Sequence, residues 1–175
     1  MSAAELAGAL TAYLTEGKGF PPTFRDQLGF LVEAAGGNRP AGRLLGLPES
    51  SIRRWLAGAK PRAPRDLTPF LRAYWAGRPR FIEAYNGYAS FVGVMDILYS
   101  NDERTARTVH FGREVPLRRI QAILRAWEAG ADKTVGNNLS RAIKEDYFSL
   151  GSDQASLGMV SIGEVREIYT ESSVR

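Results

Sequence analysis

The residues that could do chemistry cluster around a glycine turn near position 46, and their types suit hydrogen bonding to bases rather than covalent catalysis. In a groove of duplex DNA, an arginine can make paired hydrogen bonds to guanine O6 and N7, and a serine can reach a base or a phosphate. The residues predicted to contact DNA are Arg43, Glu49, Ser50, Ser51, Arg53, Arg54, Lys60, Arg62 and Arg65.

Residues 41–58 have the spacing of a helix-turn-helix, the element that would position these side chains. Apolar residues fall where two helices lock across a tight turn, and Gly46 falls where the backbone must be left-handed. The locking positions are Leu45, Leu47, Ile52 and Trp55. Gly42 occupies a position of the motif where a small alanine is more common, and glycine costs about 1 kcal/mol in helix propensity relative to alanine. The alternative is an ordinary two-helix corner with a solvated polar face.

Charge is concentrated around the same motif. The 175-residue chain carries 23 basic and 19 acidic residues, a net charge of +4. Residues 38–80 contain ten basic and two acidic residues, a balance of +8, so the remaining residues carry −4. Pro61 and Pro64 prevent regular helix in residues 59–66, which we predict to be an extended basic arm that follows phosphates or enters a minor groove. This charge predicts double-stranded DNA as the partner. An acidic protein partner is the alternative.

Composition excludes most enzyme classes. The chain has no cysteine and a single histidine, His110, so cysteine nucleophiles, cysteine zinc sites and two-histidine metal motifs are ruled out. We expect no catalytic residue, no metal and no cofactor. Asp96, Asp102 and Glu103 could together hold a divalent cation, although solvated carboxylates are the simpler interpretation. Because no apolar run could span a bilayer, we expect no membrane contact and a cytoplasmic, nucleoid-associated protein.

The order of elements predicts an α+β fold. Helical periodicity dominates residues 1–80, which we predict to be a helical DNA-binding domain with the helix-turn-helix at 41–58 and the basic arm at 59–66. Residues 87–175 are predicted to form a small α+β domain. It would contain a β-hairpin from 91–99 and 105–115, two helices, and short C-terminal strands at 158–162 and 165–169. The aromatic residues Tyr74, Trp75, Phe81, Tyr85 and Tyr88 are expected to pack in the core, with stacking on single-stranded bases as the alternative.

Three segments carry a family resemblance: 44–67 with its helix-turn-helix and arm, the polar turn 100–103, and the helix end 142–148. In this order they resemble the telomere-protecting terminal proteins of linear actinomycete chromosomes and plasmids. The resemblance implies binding to replicon ends, telomeric or single-stranded, and a side-chain hydroxyl to which the first nucleotide is joined. A DNA polymerase and a telomere-associated protein would be further partners. The family's threonine falls on Asn101, so the candidate attachment residues are Ser100, Tyr99 and Thr105.

A non-enzymatic regulator is the second hypothesis. A transcriptional or plasmid-maintenance protein would use the same DNA-binding half, with a C-terminal half that forms a homodimer. Such a dimer would bind a palindromic site, whereas the terminal protein would form a covalent adduct with a nucleotide.

Overall fold

The computed structural model describes residues 3–63, 65–88, 91–98, 104–111, 115–143, 145 and 161–170, of which the three strands are described by their backbone alone. Within these residues there are eight helices and three strands. The helices are α1 (Ala3–Leu14), α2 (Phe24–Ala35), α3 (Asn38–Leu45), α4 (Glu49–Leu56), α5 (Thr68–Ala76), α6 (Pro79–Asn86), α7 (Leu117–Glu128) and α8 (Asp132–Ala142). The strands are β1 (Phe91–Leu98), β2 (Arg104–Phe111) and β3 (Ser161–Thr170).

Local sequence signals set the ends of several helices. The hydroxyl of Thr23 caps α2 by accepting a hydrogen bond from the backbone N–H of Asp26. Gly36 ends α2 in the left-handed conformation, with φ 81°. Prolines stand in the first turns of α5 and α6, where a missing N–H costs nothing. None of the described helices is long and apolar enough to cross a membrane.

Helices α2 to α5 surround a first apolar core. Ile52 of α4 is 0% exposed and Leu45 of α3 is 2% exposed, so burial of these apolar side chains holds together the two helices across the turn. Leu28 of α2, also 0% exposed, lies in the same cluster. We call this group the first core; its buried members are Leu28, Leu31, Ala41, Leu45, Ile52, Leu67 and Leu71.

A second apolar core joins helices from both ends of the chain. Its buried members are Leu6, Ala7, Leu10, Tyr13, Leu14, Trp75, Phe81, Ala84, Val115, Ile120, Ile123, Leu124, Trp127, Val135, Leu139, Ala142 and Ile143. Trp127 lies at 0% exposure, and its indole N–H donates to Thr11 Oγ1 at 2.9 Å. Helices on both sides of the predicted boundary between residues 80 and 87 therefore share one core.

Close approach of α1 to α8 depends on a glycine. A Cβ placed on Gly136 would overlap the backbone of Ala3, so only glycine lets the two helices meet at this point. The contact brings the first and the last of the described helices together.

Arg72 of α5 connects the two helical groups. Its side chain is almost fully buried and donates to the carbonyl oxygen of Trp127 at 2.6 Å and to Asp132 Oδ1 at 2.7 Å. The guanidinium also lies 5.0 Å from the ring centre of Trp127 and 5.3 Å from that of Phe20. Because a buried charge is costly unless it is paired, these bonds fix α5 against α7 and α8.

The three strands form one antiparallel sheet in the order β2-β1-β3. Phe91 is opposite Phe111 at one end of the β1–β2 pair, and Leu98 is opposite Arg104 at the other. On the other side of β1, Asp96 pairs with Glu164 and Ile97 with Ile162, which leaves Gly163 as an extra residue in the ladder. The glycine predicted to separate two C-terminal strands lies within one continuous strand instead, because a β-bulge accommodates it.

The predicted α+β fold class is wrong. Of the residues whose side chains the structure describes, 71% are helical and 1% lie in strands. The prediction assigned α7 and α8 to a separate α+β domain. Their apolar faces pack instead on α1 and α6, so helices build both of the described cores.

Candidate nucleic-acid interface

The turn between α3 and α4 has the backbone that the motif requires. Gly46 ends α3 with φ 63°, the left-handed conformation that glycine adopts at no steric cost. Its N–H donates to the carbonyl oxygen of Gly42, and so does the N–H of Leu47, at 2.9 Å. The carbonyl of Gly42 thus accepts two hydrogen bonds from the turn, and α4 begins three residues after Gly46, at Glu49.

Packing explains why position 42 is a glycine, and the sequence did not reveal this reason. A Cβ at this position would lie 2.7 Å from the carbonyl oxygen of Leu47 and 3.6 Å from Cδ1 of Ile52. The turn crosses directly over the helix at Gly42, so the glycine allows a closer crossing than an alanine would.

The outer face of α4 is polar and accessible. Ser50, Arg53 and Arg54 are exposed, whereas Glu49 and Ser51 are half-buried. Arg53 forms an ion pair with Glu49 at 2.5 Å, one helical turn away. Since the Arg53 side chain is 69% exposed, this pair contributes little to stability, and Arg53 can exchange Glu49 for another acceptor at small cost.

The basic arm divides into an exposed part and an anchored part. Lys60 and Arg62 are exposed and make no ion pair with any described residue. Arg65 is exposed too, but its guanidinium donates to the carbonyl oxygen of Leu45 at the end of α3. Leu67 then enters the first core at 0% exposure. Arg65 therefore fastens the arm to the turn, a role that differs from its predicted contact with DNA.

Part of the +8 charge is used inside the protein. Arg72 is buried between the two cores, as described above, and Arg80 donates to the carbonyl oxygen of Tyr13 at 2.9 Å. Arg78 lies 5.5 Å from the ring centre of Tyr74. Arg65 and Arg78 are exposed but make these contacts within the protein. The other exposed basic residues described between 38 and 80 are Arg39, Arg43, Arg53, Arg54, Lys60 and Arg62.

A cleft beside the end of α4 contains residues that the sequence analysis did not single out as a site. It has a volume of about 420 Å³ and lies between the start of α2 and the segment after α4. The rings of Phe24 and Trp55 line it, with Arg25 and Lys60 also contributing. The only sequence feature that indicated this cleft was a tryptophan next to a basic arm. Arg25 is so distant from that tryptophan along the chain that the sequence did not indicate its place in the cleft.

The candidate attachment residues are not brought together by the described structure. Tyr99 and Ser100 lie outside the described residues, as do Asp102 and Glu103 of the metal alternative. Thr105 lies in β2 opposite Ile97 of β1, where the backbone alone is described. Among the aromatic residues predicted to pack, Trp75 and Phe81 are buried, whereas Tyr88 is 82% exposed.

The described part of the chain holds no group of three or more histidine, aspartate or glutamate residues arranged to bind a metal ion. The candidate site is an exposed basic surface that is built from α4 and the arm and supported by a packed helical core.

A comparison of the chain with protein-family models, with curated proteins and with solved structures found no match.

Proposed function

We propose that the protein binds double-stranded DNA through α4 and the arm. The observation that carries the proposal is the geometry of the turn: α3 and α4 lock around Gly46 while Arg53, Arg54 and Ser50 stay exposed on one face. This is the arrangement in which a second helix enters a major groove and reads base edges.

The exposed charges divide the expected contacts into two kinds. Arg53 and Arg54 project from α4, where bidentate bonds to guanine would give sequence preference. Lys60 and Arg62 follow the helix on a segment with no regular structure, where they would meet phosphates and fix the position of the protein without reading sequence. The two pairs should therefore respond differently to substitution.

The test begins with sites selected from a pool of random duplexes, followed by binding measurements over a range of salt concentrations. Replacing Arg53 and Arg54 with alanine should remove the preference for the selected sites over random duplex. Arg62→Ala should weaken binding to all duplexes alike and reduce the slope of log affinity against log salt by about 1. Arg118→Ala, an exposed arginine on α7, is the matched control. Unchanged binding in both sets of variants would contradict the proposal.

A role at replicon ends, as the resemblance implies, adds a covalent step to this binding. A hydroxyl at Ser100, Tyr99 or Thr105 would attack the α-phosphorus of a deoxynucleoside triphosphate held by a polymerase. The new phosphodiester bond would form as the bond between the α- and β-phosphates breaks, releasing diphosphate and the hydroxyl proton. Incubation with a labelled deoxynucleotide, the polymerase and linear-replicon end DNA should give an adduct that mass spectrometry maps to one of these residues. No labelling, under conditions where a known terminal protein is labelled, would leave duplex binding as the function and favour the regulator.

A further inference from the structure

Two concave surfaces meet at Trp55. The first is the cleft of about 420 Å³ described above, and the second, of about 610 Å³, lies along the end of α4 and the arm. Trp55, Lys60 and Pro61 line both of them. Each volume lies within the roughly 300–1,000 Å³ that small ligands occupy in proteins.

Cations are distributed along both surfaces. Arg25 and Lys60 line the first, and Arg54 and Arg62 join Lys60 on the second. No acidic residue lies among the described residues that line either surface. The nearest acid along α2, Asp26, accepts a hydrogen bond from the hydroxyl of Thr23 at 2.6 Å and belongs to the cap of that helix. The charges therefore suit a ligand with more than one anionic group, placed in sequence.

Trp55 is held by packing rather than by a polar bond. Its ring meets Phe24 edge to face, with ring centres 5.7 Å apart. Its indole N–H is shielded from solvent and has no hydrogen-bond partner among the described residues. A buried donor without a partner is costly, so the residue shared by the two surfaces carries a group that an acceptor on a ligand would satisfy.

We infer that the cleft holds one unpaired nucleotide of a DNA strand, with its base against Trp55 and Phe24 and its flanking phosphates on Lys60 and Arg62. This inference rests on the proposed function and adds to it a site for a base that has left the duplex. Aromatic rings next to a cationic groove are the combination that binds single-stranded DNA with little regard for sequence. A strand fits better than a free small anion, because the cations continue from one surface to the next.

Tryptophan fluorescence gives a direct measurement. The chain has three tryptophans, of which Trp75 is 3% exposed and Trp127 is 0% exposed, so a base stacked at the surface should quench Trp55. Three DNA probes are compared: a blunt duplex, the same duplex with a short single-stranded overhang, and that overhang made abasic. The overhang with bases should quench the fluorescence and bind about tenfold more tightly than the abasic overhang. Trp55→Phe should lose the quenching and keep most of the affinity, because phenylalanine also stacks.

A second variant avoids any change to a packed residue. Ala59 lines both surfaces and is exposed, so Ala59→Glu places a negative charge in the site without disturbing a core. It should abolish the preference for the overhang with bases, while Ala122→Glu, on the exposed face of α7, should retain it. Circular dichroism verifies that both variants are folded.

Three outcomes would overturn the inference. Equal binding of the abasic and the normal overhang would mean that only phosphates are recognised. Equal binding of blunt and overhanging duplex would mean that no unpaired nucleotide enters the cleft. Quenching by a free deoxynucleoside monophosphate at the same concentration as the overhang would assign the cleft to a small anion. In each case, the preference for selected duplex sites over random duplex, and its loss in the Arg53 and Arg54 variant, still measure the proposed function separately.

Discussion

Replacing Gly42 with alanine sets two physical effects against each other. Alanine in a helix interior is favoured over glycine by about 1 kcal/mol, so propensity alone predicts a more stable protein. The structure predicts the opposite, because the new Cβ would lie 2.7 Å from the carbonyl oxygen of Leu47. That oxygen belongs to the backbone of the turn and cannot rotate away like the end of a side chain.

The expected magnitude follows from the same contacts. Overpacking of a filled site typically costs about 1–3 kcal/mol. Relief of the overlap would require α4 to move outward, which would carry its own Ile52, 0% exposed, away from the first core. After the gain in propensity of about 1 kcal/mol is subtracted, we expect a net loss of up to about 2 kcal/mol in the free energy of unfolding. For a chain of this length, that loss lowers Tm by up to roughly 8 °C.

Gly8→Ala is the matched control. Gly8 lies inside α1, is exposed, and has nothing within 4 Å of an added Cβ, so the same substitution should stabilise the protein by up to about 1 kcal/mol. Urea unfolding followed by circular dichroism gives both values. If Gly42→Ala is as stable as Gly8→Ala, the packing argument for the turn is refuted. Duplex binding by Gly42→Ala should weaken as well, since α4 shifts relative to α3.

Three further predictions concern charge. Glu49→Gln frees Arg53 from its ion pair, so affinity for random duplex in an anisotropy titration should rise about two- to fivefold, while Glu128→Gln should leave it unchanged. Arg72→Met leaves the carbonyl oxygen of Trp127 without its donor and should lower the free energy of unfolding by about 2 kcal/mol in urea, against no change for Arg118→Met. The Thr68 backbone N–H donates to Asp66 and, together with the hydroxyl of Thr68, lowers the pKa of that carboxyl below its usual value. A lowered folded-state pKa means that the stabilisation is complete above the usual aspartate pKa and is lost as the pH falls through the lowered one. An NMR titration of Asp66 should place its midpoint below that of an unstructured aspartate, and an unshifted midpoint would contradict the hydrogen bond.

The helix-turn-helix could be predicted because its signals are local. Gly46 needs a left-handed backbone, and Ile52 recurs at helical spacing; both features are determined within a few residues. The exposure of Arg53 and Arg54 follows from the same periodicity.

The fold class and the cleft could not be predicted, since both depend on distant contacts. The alternating residues between 91 and 115 favoured an α+β domain, but nothing nearby in the sequence indicated that α8 packs on α1 through Gly136. Arg25 and Lys60 come together across the start of α2 and the end of α4. The charge count had the same limit: it could not separate Arg72, whose charge is buried, from Arg62, whose charge is free for a ligand.

α5 links the stability of the two helical groups. Leu71 of this helix lies in the first core and Trp75, one turn later, lies in the second. If either group opens, α5 loses one of its two apolar faces, so the groups should unfold as one cooperative unit. By thermodynamic linkage, DNA bound at α4 should then slow amide hydrogen exchange in α7, a helix outside the proposed DNA-binding surface.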